Sequence, residues 1–242
     1  SIKDLELALK VMSKENYDDP WWTPLPFSLP MPEKKIALLK KIEGLKIDPI
    51  ISAELDLVAK RLEDSGWVIE EPKAPNFQEA AKFQATLWLG EFRRTGGEAI
   101  TKENDPDSNF IYSQMSRRCP DTSLEKFMDS LQQRARISRE WNKFFDQYPI
   151  ILCPITGDVP FPDLKDLESE ESFDLVFDSM LPQIAPPYMG LPGLSFATSQ
   201  TKQKIPLGVQ FISRKFREDL LLNVGYDLEK YYPKIEPVLP NF

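Results

Sequence analysis

Apolar residues recur along this chain with two different periods, and the alternation between them outlines the fold. Ile2, Leu5, Leu9 and Met12 fall at helical spacing behind Ser1 and Asp4, whose hydroxyl and carboxylate suit the orphan amides of a first turn, so a helix starts at the first residue. Between Tyr17 and Pro32 the pattern dissolves into prolines and aromatics that hold neither a helix nor a ladder. A strap over the surface is predicted there, with Trp21 and Trp22 as its anchors rather than as a lid over an aryl ligand.

From Ile36 the period changes. Ile36 to Leu39 reads as a short buried strand, Asp48-Pro49 opens a helix with Leu55, Val58 and Leu62 on one face, Gly66 closes it, and Trp67 to Glu70 is a second strand. Strand, helix and strand in this order predict a parallel pairing. A helix over Phe77 to Phe92 follows, then a polar, glycine-containing stretch from Arg93 to about Pro120 that reads as a mobile loop. Ser123 caps a long helix in which Leu124, Met128, Leu131, Ala135, Trp141 and Phe145 recur, and Ile150 to Cys153 is a buried strand.

Two further strands, Leu194 to Thr198 and Leu207 to Ser213, flank the polar turn Ser199 to Lys204 and should pair antiparallel at a sheet edge. A last helix runs from Arg217 to about Tyr231, with Glu218 and Asp219 where the helix dipole favours anions. Residues 1–242 are therefore expected to form one α/β unit, a mixed, mostly parallel sheet covered by helices.

Composition narrows the chemistry. A net charge of −8 repels a phosphate backbone, and no apolar run approaches the roughly 20 residues of a bilayer span, so neither nucleic acid nor membrane is an expected partner. Cys119 and Cys153 are expected as ordinary thiols in a cytoplasmic protein. The count that decides most is zero histidines, which excludes a Ser-His-Asp triad, a Cys-His dyad and the usual zinc sites within this sequence. No metal and no cofactor are expected.

Local groupings offer little nucleophilic chemistry. Ser13-Lys14 and Ser213 near Lys215 have the composition of a Ser-Lys dyad, but such a dyad needs a desolvated lysine and both pairs fall at solvated element ends. Gly96-Gly97 sits between Arg94 and Glu98 and is most simply a turn, and the carboxylates of Asp163 to Glu171 are a solvated face. The stretch Gly190 to Leu194 serves either as a tight entry into a strand or as backbone lining the acyl side of a pocket. Tyr188, Met189, Gly190 and Pro192 are the candidate substrate-pocket residues.

The segments Gly190-Leu191-Pro192-Gly193-Leu194-Ser195, Ile205 to Ile212 and Phe216-Arg217-Glu218-Asp219-Leu220-Leu221, with Tyr148 to Pro154 and Ser1 to Leu5 upstream, together resemble the C-terminal half of the amidase signature family. One departure is Ala197, where the family commonly has proline. The resemblance implies hydrolysis of a small carboxylic amide to acid and ammonia through a seryl acyl-enzyme. It also implies that the attacking serine, the relay serine with its cis peptide, the lysine base and the Gly-Ser-rich loop lie upstream of Ser1, so no catalytic residue is assigned here. The partners it implies are a small amide substrate and the upstream half of the same enzyme. The alternative is a catalytically inactive binding or scaffolding lobe, and an edge strand left open would favour homo-oligomers.

Overall fold

The computed structural model describes residues 1–232. Its centre is a five-stranded sheet of β1 (Lys35–Leu38), β2 (Val68–Glu70), β3 (Ile150–Pro154), β4 (Gly193–Gln200) and β5 (Pro206–Ser213), in the order β2-β1-β3-β5-β4. The first three are mutually parallel, β1 lying between β2 and β3, while β5 runs antiparallel to both β3 and β4. The sheet is therefore mixed, with the parallel strands and the antiparallel edge that the hydrophobic pattern predicts.

Period-two alternation divides the core between the two faces of the sheet. Ile36, Leu38, Leu152 and Phe211 point to one side, where they meet α2 (Pro49–Asp64), α9 (Glu218–Glu229) and the start of α1 (Ile2–Met12). Ala37, Ile151, Cys153 and Ile212 point to the other, against α3 (Phe77–Thr95), α6 (Leu124–Gln147) and α8 (Leu181–Met189). Every residue of β3 is buried, as a central strand covered on both faces requires.

Caps explain where the helices start. Ser1 and Asp4 form the capping box of α1, Asp48 accepts from the Ile50 amide at 2.7 Å ahead of Pro49, and Ser123 accepts from the Lys126 amide. The strap is tied down at its far end: the Leu29 amide donates to Asp219 at 3.2 Å, and Phe27 packs against the core. The anchoring expected of both tryptophans falls to Trp22 alone, whose indole N–H donates to the Ser13 carbonyl; Trp21 stays 86% exposed.

The region from Arg93 to Pro120 departs from expectation. It is not a loop but the end of α3 followed by α4 (Gly97–Glu103) and α5 (Pro106–Arg118). Asn104 in the left-handed conformation, φ 57°, breaks the chain between them, and Asp105 caps α5 by accepting from the Ser108 amide ahead of Pro106. No residue of α5 is buried, so it lacks the apolar period that marks the other helices. The first half of α6 differs too, since Leu124 and Met128 face solvent.

Prolines conceal α8. Pro182 occupies its first turn, but Pro186 and Pro187 lie inside it. Pro186 cannot donate to the carbonyl four residues back, and the Gln210 side chain takes that place, its amide donating to the Pro182 carbonyl at 3.0 Å. α7 (Glu170–Ser179), preceded by a 3-10 turn over Lys165–Leu167, completes the described elements.

Candidate functional site

The helices on the α3 face do not close on one another completely. A cavity of about 1250 Å³ lies between α3, α5, α6, α7 and α8. α3 lines it over the twelve residues from Gln78 to Leu89, roughly 18 Å of helix. The volume exceeds the usual range of about 300–1,000 Å³ for small-molecule sites.

Its interior is mostly apolar. Trp88 and Leu89 come from α3, Ile111 and Met115 from α5, and Phe173 and Phe177, stacked at 5.8 Å one helical turn apart, from α7. Charged groups line it from more than one wall: Lys82 lies on the exposed side of α3, Asp129 on that of α6, and the Arg118 guanidinium lies 4.6 Å over the Phe177 ring. Arg118 also pairs with Asp174 at 2.7 Å and with Asp178, while Arg117 pairs with Glu170 at 3.4 Å and with Asp174. Those pairs clasp α5 to α7 beside the cavity, which Arg118 and Asp178 line. Arg118 holds the Asp174 carboxyl below its ordinary range, an effect that burial partly offsets.

The four residues singled out from the sequence stand apart from this wall. Tyr188 is one layer behind it: its ring stacks on Phe83 at 5.7 Å and its hydroxyl donates to the Ser130 carbonyl, and both Phe83 and Ser130 line the cavity. Burial pushes the Tyr188 phenol up from its usual range. Met189 is buried in the same core. Gly190, with φ 68°, ends α8, and the Pro192 carbonyl accepts from the Ser213 amide at 3.2 Å, so these two shape the entry into β4.

The other groupings do not assemble a nucleophile. The Ser213 hydroxyl donates to the Arg217 carbonyl at 2.9 Å, Lys215 lies over Phe216, and the Ser130 hydroxyl in the cavity wall donates to the Lys126 carbonyl. Among the described residues no three metal-ligating side chains converge. No helix among them is long and apolar enough to cross a membrane. What the arrangement offers chemically is a large, half-open, mostly apolar cavity with a few charged side chains in its walls. The sequence conceals it because its five walls come from five helices, although Phe173 and Phe177 at helical spacing are a visible signal.

The family model described as Amidase matches residues 1–222. The chain belongs to the amidase family. Its relatives include the indoleacetamide hydrolase of Bradyrhizobium diazoefficiens (strain JCM 10833 / BCRC 13528 / IAM 13628 / NBRC 14792 / USDA 110), 29% identical over 231 residues that cover 94% of this chain and 44% of the relative. That of Bradyrhizobium japonicum is 28% identical over 232 residues, 95% of this chain and 50% of the relative. This amidase-family chain thus spans about half the length of these curated relatives. Among solved structures, 6-aminohexanoate cyclic dimer hydrolase superposes with a TM-score of 0.78 at 16% identity, covering 97% of this chain and 54% of the other, which is a likeness of fold.

Proposed function

We propose that this chain forms the substrate-cavity half of an amide hydrolase, one that converts a carboxylic amide and water into the acid and ammonia. The observation that carries this reading is the half-open, mostly apolar cavity of about 1250 Å³ in a member of the amidase family. A short aliphatic amide would leave most of it empty, so the acyl part of the substrate is bulky and apolar, whether aryl or alkyl. The indoleacetamide hydrolases among the relatives favour the same class.

Within this reading the residues of the chain bind and orient. α3, α5 and α7 remove the acyl group from water, which strengthens every polar interaction at the amide end. Nucleophile and base belong to an upstream half, as the resemblance implies, and Tyr188 to Pro192 position the sheet end that faces it. The test is calorimetric titration of the folded chain with arylacetamides and alkyl amides, in parallel with an ammonia assay. Binding without ammonia release supports the reading. Turnover by the chain alone would overturn the assignment of catalysis to the upstream half, and a folded chain that binds no amide would favour the scaffolding alternative.

A further inference from the structure

A second hollow of about 310 Å³ adjoins the first, and Trp88, Leu89 and Met115 line both. These three side chains are the partition. The far side is built from Phe92, Thr95 and Glu91. Phe92 is held there by tight packing: its ring meets Tyr112 edge-on at 5.7 Å, and a Cβ on Gly96 would lie 2.5 Å from it. A Cβ on Gly97 would similarly meet the Tyr112 hydroxyl at 2.6 Å. A side chain at either glycine would therefore push one of the two rings aside, which gives the pair a packing role beside that of a turn.

The members of the partition differ in what holds them. Leu89 is 2% exposed and fixed in the wall, and Trp88, although 54% exposed, is a rigid indole with two torsions carried on α3, a helix packed against α6 and α8. Met115 is on α5, which has no buried residue, and its unbranched thioether has three rotatable bonds to swing through. We propose that Met115 is a specificity-determining gate: its side chain sets how long an apolar acyl group the site takes, and turning it aside joins the smaller hollow to the larger. This rests on the proposed amide site and adds to it a rule for chain length.

The experiment uses the full chain and calorimetric titration with straight-chain primary amides from butanamide to dodecanamide, for wild type, Met115→Ala and Met115→Phe, each checked for folding by circular dichroism. Substitution at a position without buried neighbours on its own helix leaves the fold intact. Each methylene that finds a buried place tightens binding about fourfold. In the wild type that gain should stop at some length; in Met115→Ala it should continue for two or more further carbons, roughly tenfold in affinity or more, and in Met115→Phe it should stop earlier. Amides that bind with the same length dependence in all three proteins would overturn the gate alone. A folded wild type that binds no amide at any length would overturn the amide site, and the gate with it.

Discussion

The two flanks of this molecule are held in opposite ways. On one side, β3 and β5 are sealed between helices, with Ile150, Ile151, Leu152, Phe211 and Ile212 all fully buried. On the other, α5 has no fully buried residue: Tyr112 rests on Phe92, and Arg117 and Arg118 clasp the helix to α7. The first arrangement draws on the removal of apolar area from water, which is large and is not weakened by charge screening. The second draws on half-buried contacts such as Tyr112 on Phe92 and on partly exposed ion pairs worth about 1 kcal/mol or less each. The cavity lies where the two meet, with one wall on α3 and another on α5. A rigid wall facing a weakly held one is what a site needs if bulky ligands are to enter it.

The sharpest way to break this contrast is in the sheet. Phe211→Ala should cost about 3–5 kcal/mol, because the ring is shared by the β4 and β3 pairings and no neighbour can collapse into its place. Urea denaturation followed by circular dichroism measures it. A loss below about 1 kcal/mol would show that the sheet is not the stable flank. Gln210→Leu should cost less, about 1–3 kcal/mol, since it removes the donor that serves the Pro182 carbonyl and leaves that oxygen unpaired in the interior. The same denaturation curve reads it, and an unchanged midpoint would mean that α8 tolerates its prolines without help.

These residues also show which parts of the fold were legible in the sequence. The pair Asp48-Pro49 marks the start of α2, and the apolar stripe behind it, Leu55, Val58 and Leu62, confirms the helix because it packs on the sheet. Asp105-Pro106 is the same start signal, and α5 follows it, but behind it only Ile111, Tyr112 and Met115 fall at helical spacing, a stripe of little more than one turn that no fully buried residue extends. Hydrophobic periodicity records burial rather than helicity, so a half-exposed, ion-paired helix reads as a loop. α8 fails for the opposite reason: its apolar residues are there, but Pro186 and Pro187 forbid the helix locally, and only Gln210, more than twenty residues on, restores the missing partner. The cavity is less legible still. Trp88, Met115, Lys126 and Phe177 share no motif and become neighbours only through packing. The family, by contrast, is legible, because its segments around Gly190 and Gln210 follow one another at fixed spacing.

The smallest effect is the most selective for the weaker flank. Arg118→Ala should change global stability by under about 1 kcal/mol, since its partners Asp174 and Asp178 remain partly exposed. Amide hydrogen exchange should nevertheless accelerate across α5 while β3 and β5 keep their protection. Acid should imitate the substitution, and the sign follows from Asp174. Its carboxyl is held below the ordinary value mainly by Arg118, so the folded state gains from the ionised form. That contribution is complete at every pH above the unfolded-state value of about 3.9 and is lost as pH falls through the depressed native value. Protection of α5 should thus be level from neutral pH to about 4 and then fall, and raising the pH into the weakly alkaline range should leave it untouched because arginine stays charged. Salt at about 1 M, where screening acts over roughly 3 Å, should weaken the same helix at neutral pH. If α5 and β3 instead lost protection together under all three treatments, the clasp would be part of one cooperative core, and the gate at Met115 would have no loosely held helix to move on.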